Sequence, residues 1–236
     1  MYALLSAHYA NTDATRFDHD LEEKESVVLL SDAANDDLVG FSTLMRIEVQ
    51  VDGQDVIGIF SGDTIIDPSY WGDGELSRTW LQRVFQWRNQ TPQAEVYWFM
   101  IVSGHATYRF MPVHLKRFYP NYKRPTPPEI QRRLDALALK KFPDEYDPKT
   151  GIVRPREATP VLPGVADVTE HRRKNPHVAF MVSRNPGYAR GEEMACLGEL
   201  SYANLTRIGE RALRAGEEAS DQKAAAPDRR GDAGSD

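Results

Sequence analysis

Three apolar runs follow one another between Ser26 and Ile66, and a fourth, Glu95–Val102, returns after a helical stretch. This succession constrains the fold more than any other feature. Ser26–Ser31 (SVVLLS) is continuously apolar. Leu38–Val51 alternates and carries Phe41, Leu44, Ile47 and Val49, and Asp55–Ile66 (DVIGIFSGDTII) is the third run. Val51-Asp52-Gly53-Gln54 is a turn signal between two strand patterns, so the second and third runs are expected to form an antiparallel hairpin. Leu76, Trp80, Val84 and Trp87 recur at helical spacing within Glu75–Arg88, and EVYWFMIV reads as a buried strand. Strands and helices mixed in this order predict an α/β (α+β) protein.

The flanks are less regular. Tyr2–Ala10 and Phe17–Lys24 read as helices, as does Ala106–Tyr119 with a kink at Pro112. Pro120–Pro128 is a basic, proline-rich connector and Pro128–Lys141 a helix. Phe142–Pro176 is irregular, His177–Val182 a late strand and Glu192–Arg214 a closing helix that starts near Cys196. From Gly216 the chain has almost no large apolar residue, so residues 216–236 are expected to be a disordered tail behind one domain spanning 1–215, elaborated from about residue 120.

Composition removes several function classes. The net charge of −6 argues against a protein that mainly grips nucleic acid. The basic and aromatic stretch Tyr108–Arg124 then reads as an amphipathic helix with solvated charges. The acidic run from Asp18 to Glu25 likewise reads as a solvated face, although it would suit a cationic acceptor. The single cysteine, Cys196, excludes an internal disulfide and points to a reducing, cytoplasmic compartment. The first residues lack the pattern of a signal peptide, and no apolar run approaches the ~20 residues that span a bilayer. The histidines show no metal-ligand spacing, so no metal is expected.

One motif carries chemistry. In Ile65-Ile66-Asp67-Pro68-Ser69-Tyr70-Trp71-Gly72-Asp73-Gly74-Glu75-Leu76 a strand ends in a proline, an aromatic residue and a glycine turn that opens a helix. Successive backbone N–H groups at a helix N-terminus form an anion site, and glycines admit close approach. With the element order of residues 1–119, this segment resembles the GNAT superfamily of acyl-CoA-dependent acyltransferases. The resemblance implies a mixed, mostly antiparallel sheet with helices on both faces. It implies acyl-CoA or acetyl-CoA as co-substrate, its phosphates held by Ile66, Trp71, Gly72, Asp73, Gly74, Glu75 and Leu76. Trp71 and Leu76 depart from the family pattern, and Asp73 and Glu75 bring negative charge to that loop. Compensating cations are therefore required, and Arg78, Arg83, Arg109, Lys116 and Arg117 are candidates. An acyl carrier protein is the alternative donor.

The same resemblance points to direct attack by a small-molecule amine acceptor. Asp63 is the candidate base. Period two groups it with Ile57, Ile59, Ser61 and Ile65, an apolar face on which burial would raise its pKa. His105 and Tyr108 follow the next strand, where the family's strands splay, and are candidates to protonate the departing thiolate; His114 is a rival. Phe60, Tyr70, Trp71, Tyr97, Trp98 and Phe99 would leave room for an acyl chain longer than acetyl. A non-catalytic relative that binds a small molecule or a protein in the same cleft is the competing expectation.

Overall fold

The computed structural model describes residues 1–72, 74–165 and 167–215. Seven strands form one sheet: β1 (Ser26–Ser31), β2 (Leu38–Val51), β3 (Gln54–Ile66), β4 (Glu95–Val102), β5 (Tyr146–Asp147), β6 (Ile152–Val153) and β7 (Glu193–Glu199). Their order is β1-β2-β3-β4-β7-β6-β5. Every neighbouring pair is antiparallel except β3 and β4, which run parallel. The parallel pair is joined by helix α3 (Glu75–Gln90), as a crossover between parallel strands requires. Two short helices precede the sheet in the chain, α1 (Tyr2–Ser6) and α2 (Ala14–Glu22).

The β2–β3 hairpin is the one its sequence predicts. Val51 pairs with Gln54, and Asp52 and Gly53 both take positive φ (53° and 76°), as a tight two-residue hairpin turn demands. Alternation along the strands separates two cores. Ile57, Ile59, Trp98, Met100, Met194 and Cys196 pack against Leu76, Trp80, Leu81 and Val84 of α3. Val56, Phe60, Tyr97, Phe99, Ala195 and Leu197 pack against Leu134 and Leu137 of α6 (Pro128–Lys141) on the opposite face. At Gly58 a Cβ would lie 2.8 Å from the Leu137 side chain, so glycine is what lets α6 sit this close to the sheet.

Two irregularities shape the ligand-accessible end. Ser42 pairs with Thr64 but Leu44 pairs with Ser61, so Gly62 and Asp63 together oppose the single residue Thr43. This bulge changes the face on which later β3 side chains fall. The second irregularity is a parting of strands. β3 and β4 pair from Val56↔Glu95 to Ser61↔Met100 and then separate, while β4 stays paired with β7 to Val102↔Met194.

The later half departs from its sequence expectations. Residues expected to form a strand at His177–Val182 lie in helix α8 (Pro176–Arg184), which follows the short α7 (Glu170–Arg173). Asn175 caps α8 by accepting the N–H of His177 at 2.9 Å, Pro176 occupies its first turn, and Val178 and Met181 bury one face. The expected closing helix from Glu192 instead begins with β7, whose side chains alternate between the two cores. Cys196 therefore lies mid-strand, and after a short 3-10 turn at Tyr202–Asn204 α-helix occurs at residues 207–215. Ala106–Tyr119 is not one kinked helix. It divides into α4 (His105–Tyr108) and α5 (Phe110–His114), followed by extended chain whose Tyr119 bridges Leu197. The proposed tail at 216–236 lies outside the described residues.

Candidate active site

Two clefts open where β3 and β4 part. The larger, about 960 Å³, lies on the α3 side. Its wall includes the β3–α3 turn, with Ile66, Trp71, Gly72, Gly74 and Leu76, five of the seven residues expected to hold a donor. Gly72 and Gly74 have φ of 98° and 85°, and Gly74 is the N-cap of the sixteen-residue α3. The positive end of a helix of this length favours an anion at that turn. Asp73 lies outside the described residues. Glu75 pairs with Arg78 in the first turn of α3, which offsets its charge. The Trp71 ring is half-exposed and donates its indole N–H to the Ile66 carbonyl at 2.8 Å, fastening the turn to the end of β3.

Four guanidinium groups line this cleft: Arg78, Arg109, Arg172 and Arg211. Arg78 and Arg109 were expected from the sequence; Arg172 and Arg211 were not. They come from α7 and from helix 207–215, distant segments whose approach nothing local announces. Three other expected cations serve elsewhere. Arg83 stacks on Trp87 at 5.0 Å, Lys116 donates to the Ala203 carbonyl at 3.1 Å, and Arg117 is not part of the wall.

The smaller cleft, about 510 Å³, lies on the other face and contains Asp63. Here the structure corrects the expected grouping. The bulge turns Asp63 away from Ile57, Ile59 and Ser61, which face α3, and towards α1 and α2, where its strand neighbour Ile65 packs with Phe17 and Phe41. Asp63 shares this cleft with Glu193 of β7 and with Tyr9. Burial, and then the nearby Asp20, push the Asp63 carboxyl up to about 6, against a smaller opposing effect of Lys24. Glu193 is pushed up to about 8 by burial and by the charges of Asp63 and Glu145. The Tyr9 phenol is raised well above its ordinary range by burial and by the charges of Glu193 and Asp63, so it stays protonated. Neither Glu193 nor Tyr9 was singled out in the sequence.

The two clefts meet. Tyr9, Thr64, Ser103 and Thr107 border both of them. Beside this junction a recess of about 20 Å³, roughly one water molecule in size, is bounded by Ser42, Ser61, Thr64, Trp98 and Met100. Its floor is rigid. Trp98 stacks on Trp80 with centroids 4.2 Å apart and donates to Ser61 Oγ at 3.0 Å, while Ser42 Oγ and Thr64 Oγ1 are 2.8 Å apart. Phe60, Tyr97 and Phe99 leave no extra room here, because they belong to the α6-side core.

The two expected acids separate. His105 lines the larger cleft, and its Nδ1 is buried without a partner. Burial, then Arg172 and Arg109, lower its pKa, so the imidazole is neutral at pH 7 and offers a single N–H. Tyr108 does not reach either cleft. Its ring is fully buried between Phe118 and Phe180, and its hydroxyl donates to the Pro120 carbonyl at 2.8 Å. His114 borders the larger cleft and the recess, with burial lowering its pKa to about 4.

Among the described residues no cluster of three or more His, Cys, Asp or Glu side chains is arranged to hold a metal, and no helix is long and apolar enough to cross a membrane. No protein-family model matches the chain, and no curated protein matches it in sequence.

Proposed function

We propose that this protein transfers an acyl group from an acyl-CoA thioester to an amine, with donor and acceptor approaching the junction from opposite faces of the sheet. The observation that carries this reading is the meeting of two chemically different clefts at the point where β3 and β4 part. One has a glycine turn, a long helix N-terminus and four arginines. The other has two carboxylates of raised pKa. The first suits the phosphates of coenzyme A, and the second suits an amine that must lose a proton before it attacks.

In this reading the acceptor arrives as an ammonium ion and gives a proton to Asp63, whose raised pKa narrows the gap between base and amine. The free nitrogen attacks the thioester carbon, and the C–N bond forms as the C–S bond breaks. The neutral His105 offers its N–H as a hydrogen bond to the departing sulfur, which leaves as the thiol with the second proton, released by the nitrogen as the amide forms. The recess beside Ser61 and Trp98 accepts the methyl end of a short acyl group, so acetyl is the preferred donor chain. Tyr9, protonated and held beside Asp63 and Glu193, is placed to orient the acceptor nitrogen. The preferred site of action is the cytoplasm.

A non-catalytic binding role is favoured by one observation. His105 is neutral and Tyr108 points into the core, so neither expected acid offers a readily lost proton to the larger cleft. Calorimetric titration with acetyl-CoA tests the donor site common to both readings. Binding in the micromolar range, weakened at least about tenfold when Arg172 and Arg211 are both changed to Gln, supports it. No binding by a folded sample overturns the free acyl-CoA mechanism and leaves a carrier-protein donor.

A further inference from the structure

The charges of the smaller cleft define what it can hold. Among the described residues, six carboxylates and three cations line it. All three cations are already engaged: Arg16 with Glu157, Lys141 with Glu23, and Arg156 with Asp144 at 2.8 Å. Four of the acids are engaged as well. Asp13 caps α2 by accepting the Arg16 N–H at 2.8 Å, and Asp20 pairs with Lys24 at 2.6 Å. Glu145 accepts the Arg156 N–H at 3.0 Å, and Glu157 holds Arg16.

The remaining two are different. Asp63 and Glu193 have no hydrogen bond or ion pair among the described residues, and both are half-buried in the wall of the cleft. They come from β3 and β7, the strands on either side of β4, and Ile101 of β4 lies in the wall with them. A half-buried acid without a donor is costly to the fold when it ionises, and two that face one cleft are more so. Such an arrangement is relieved by a ligand that brings positive charge to both.

We propose that the smaller cleft binds a small dication, a diamine or longer polyamine, with one ammonium group at Asp63 and a second at Glu193. This rests on the acyl-transfer reading only in making that dication the acceptor. One positive charge is insufficient for the site: Asp63 loses its own charge when it takes the proton of the reacting nitrogen, and Glu193 then keeps the far end of the molecule in place. An acceptor with a carboxylate or phosphate at that end would meet Glu193 and Asp63 with no unengaged cation to receive it.

The test uses the full chain without any acyl donor. Dissociation constants are measured by calorimetry for 1,4-diaminobutane, butylamine and 4-aminobutanoate, on the wild type and on Glu193→Gln. The diamine is expected to bind at least about tenfold more tightly than butylamine, the worth of one further charge-assisted contact, and 4-aminobutanoate more weakly than either. Glu193→Gln should abolish the diamine advantage and leave butylamine within about twofold. Should Glu193→Gln fail to fold, Asp63→Asn, which removes the other charge, must show the same loss of advantage. Equal binding of diamine and monoamine by the wild type overturns the proposal, as does an undiminished preference in a folded variant or displacement of the diamine by magnesium chloride at matched ionic strength. Diamine binding without acetyl-CoA binding would sink the acyl-transfer reading and leave this site standing. Acetyl-CoA binding without a diamine preference would do the reverse.

Discussion

Asp63 on β3 and Glu193 on β7 enter one cleft from either side of β4, and the charge of the first raises the pKa of the second. Asp63 ionises at about 6 and Glu193 at about 8, so at neutral pH, with no cation bound, this pair is one carboxylate and one carboxylic acid. In the proposed acyl transfer that division makes Asp63 the base.

The rate of acyl transfer should follow it. A base must be deprotonated to act, so kcat/KM is expected to rise with pH through a pKa near 6. Asp63→Asn should lower kcat by about 10²–10⁴-fold and remove that limb. A profile for the wild type that is flat between pH 5 and 7 would contradict the assignment.

Stability should run the opposite way. Glu193 has a higher pKa folded than unfolded, so the native state binds more protons between the ordinary glutamate value of 4.5 and about 8, and stability falls as pH rises through that window. Glu193→Gln removes a charge that the fold must otherwise carry at high pH. The variant should be more stable than wild type at pH 9 by on the order of 2 kcal/mol, with the difference shrinking towards pH 5. Denaturant melts at the two pH values check this, and a variant that is less stable at pH 9 would refute it.

Tyr108 separates a core role from a chemical one. Its hydroxyl meets the Pro120 carbonyl rather than a cleft. Tyr108→Phe is expected to cost about 1–3 kcal/mol in a denaturant melt, because the Pro120 carbonyl loses its donor, and to leave kcat within about twofold. A hundredfold loss of kcat with unchanged stability would place its proton in the reaction.

In the proposed reaction the recess is expected to set a chain-length preference. Its 20 Å³ beside Trp98 admits about one small group, so acetyl-CoA should exceed decanoyl-CoA at least about tenfold in kcat/KM. Trp80→Leu, which removes the ring stacked on Trp98, should shift the optimum to a longer chain while destabilising the protein by about 2–4 kcal/mol. An unchanged profile in the folded variant would move the acyl group elsewhere in the larger cleft.

The local signals that were legible are those whose partners lie nearby. The Asp52-Gly53 turn, the apolar alternation of Leu38–Val51 and the Leu76–Trp87 stripe each specify their own element, and all three occur as expected. The stretch Met194-Ala195-Cys196-Leu197 lacks β-branched residues, so local propensity says helix; the free edges of β4 and β6 make it a strand instead. His177–Val182 failed in the other direction, because its apolar run outweighed the Asn175-Pro176 cap that starts a helix. The turn that lines the larger cleft was readable from its glycines. Asp63 was singled out but placed on the wrong face, since strict period two does not anticipate a bulge. Glu193 was passed over because it reaches the cleft only once β7 is a strand, and Arg172 and Arg211 because only tertiary structure brings them to the cleft.

The most direct measurement is thiol release from acetyl-CoA at pH 8 by wild type and Asp63→Asn, with and without a panel of small amines that includes 1,4-diaminobutane. The account predicts release that depends on the amine, matches the amide formed mole for mole, and falls at least a hundredfold in Asp63→Asn. A protein that binds acetyl-CoA yet releases no thiol above background with any amine in the panel, in either form, would contradict it.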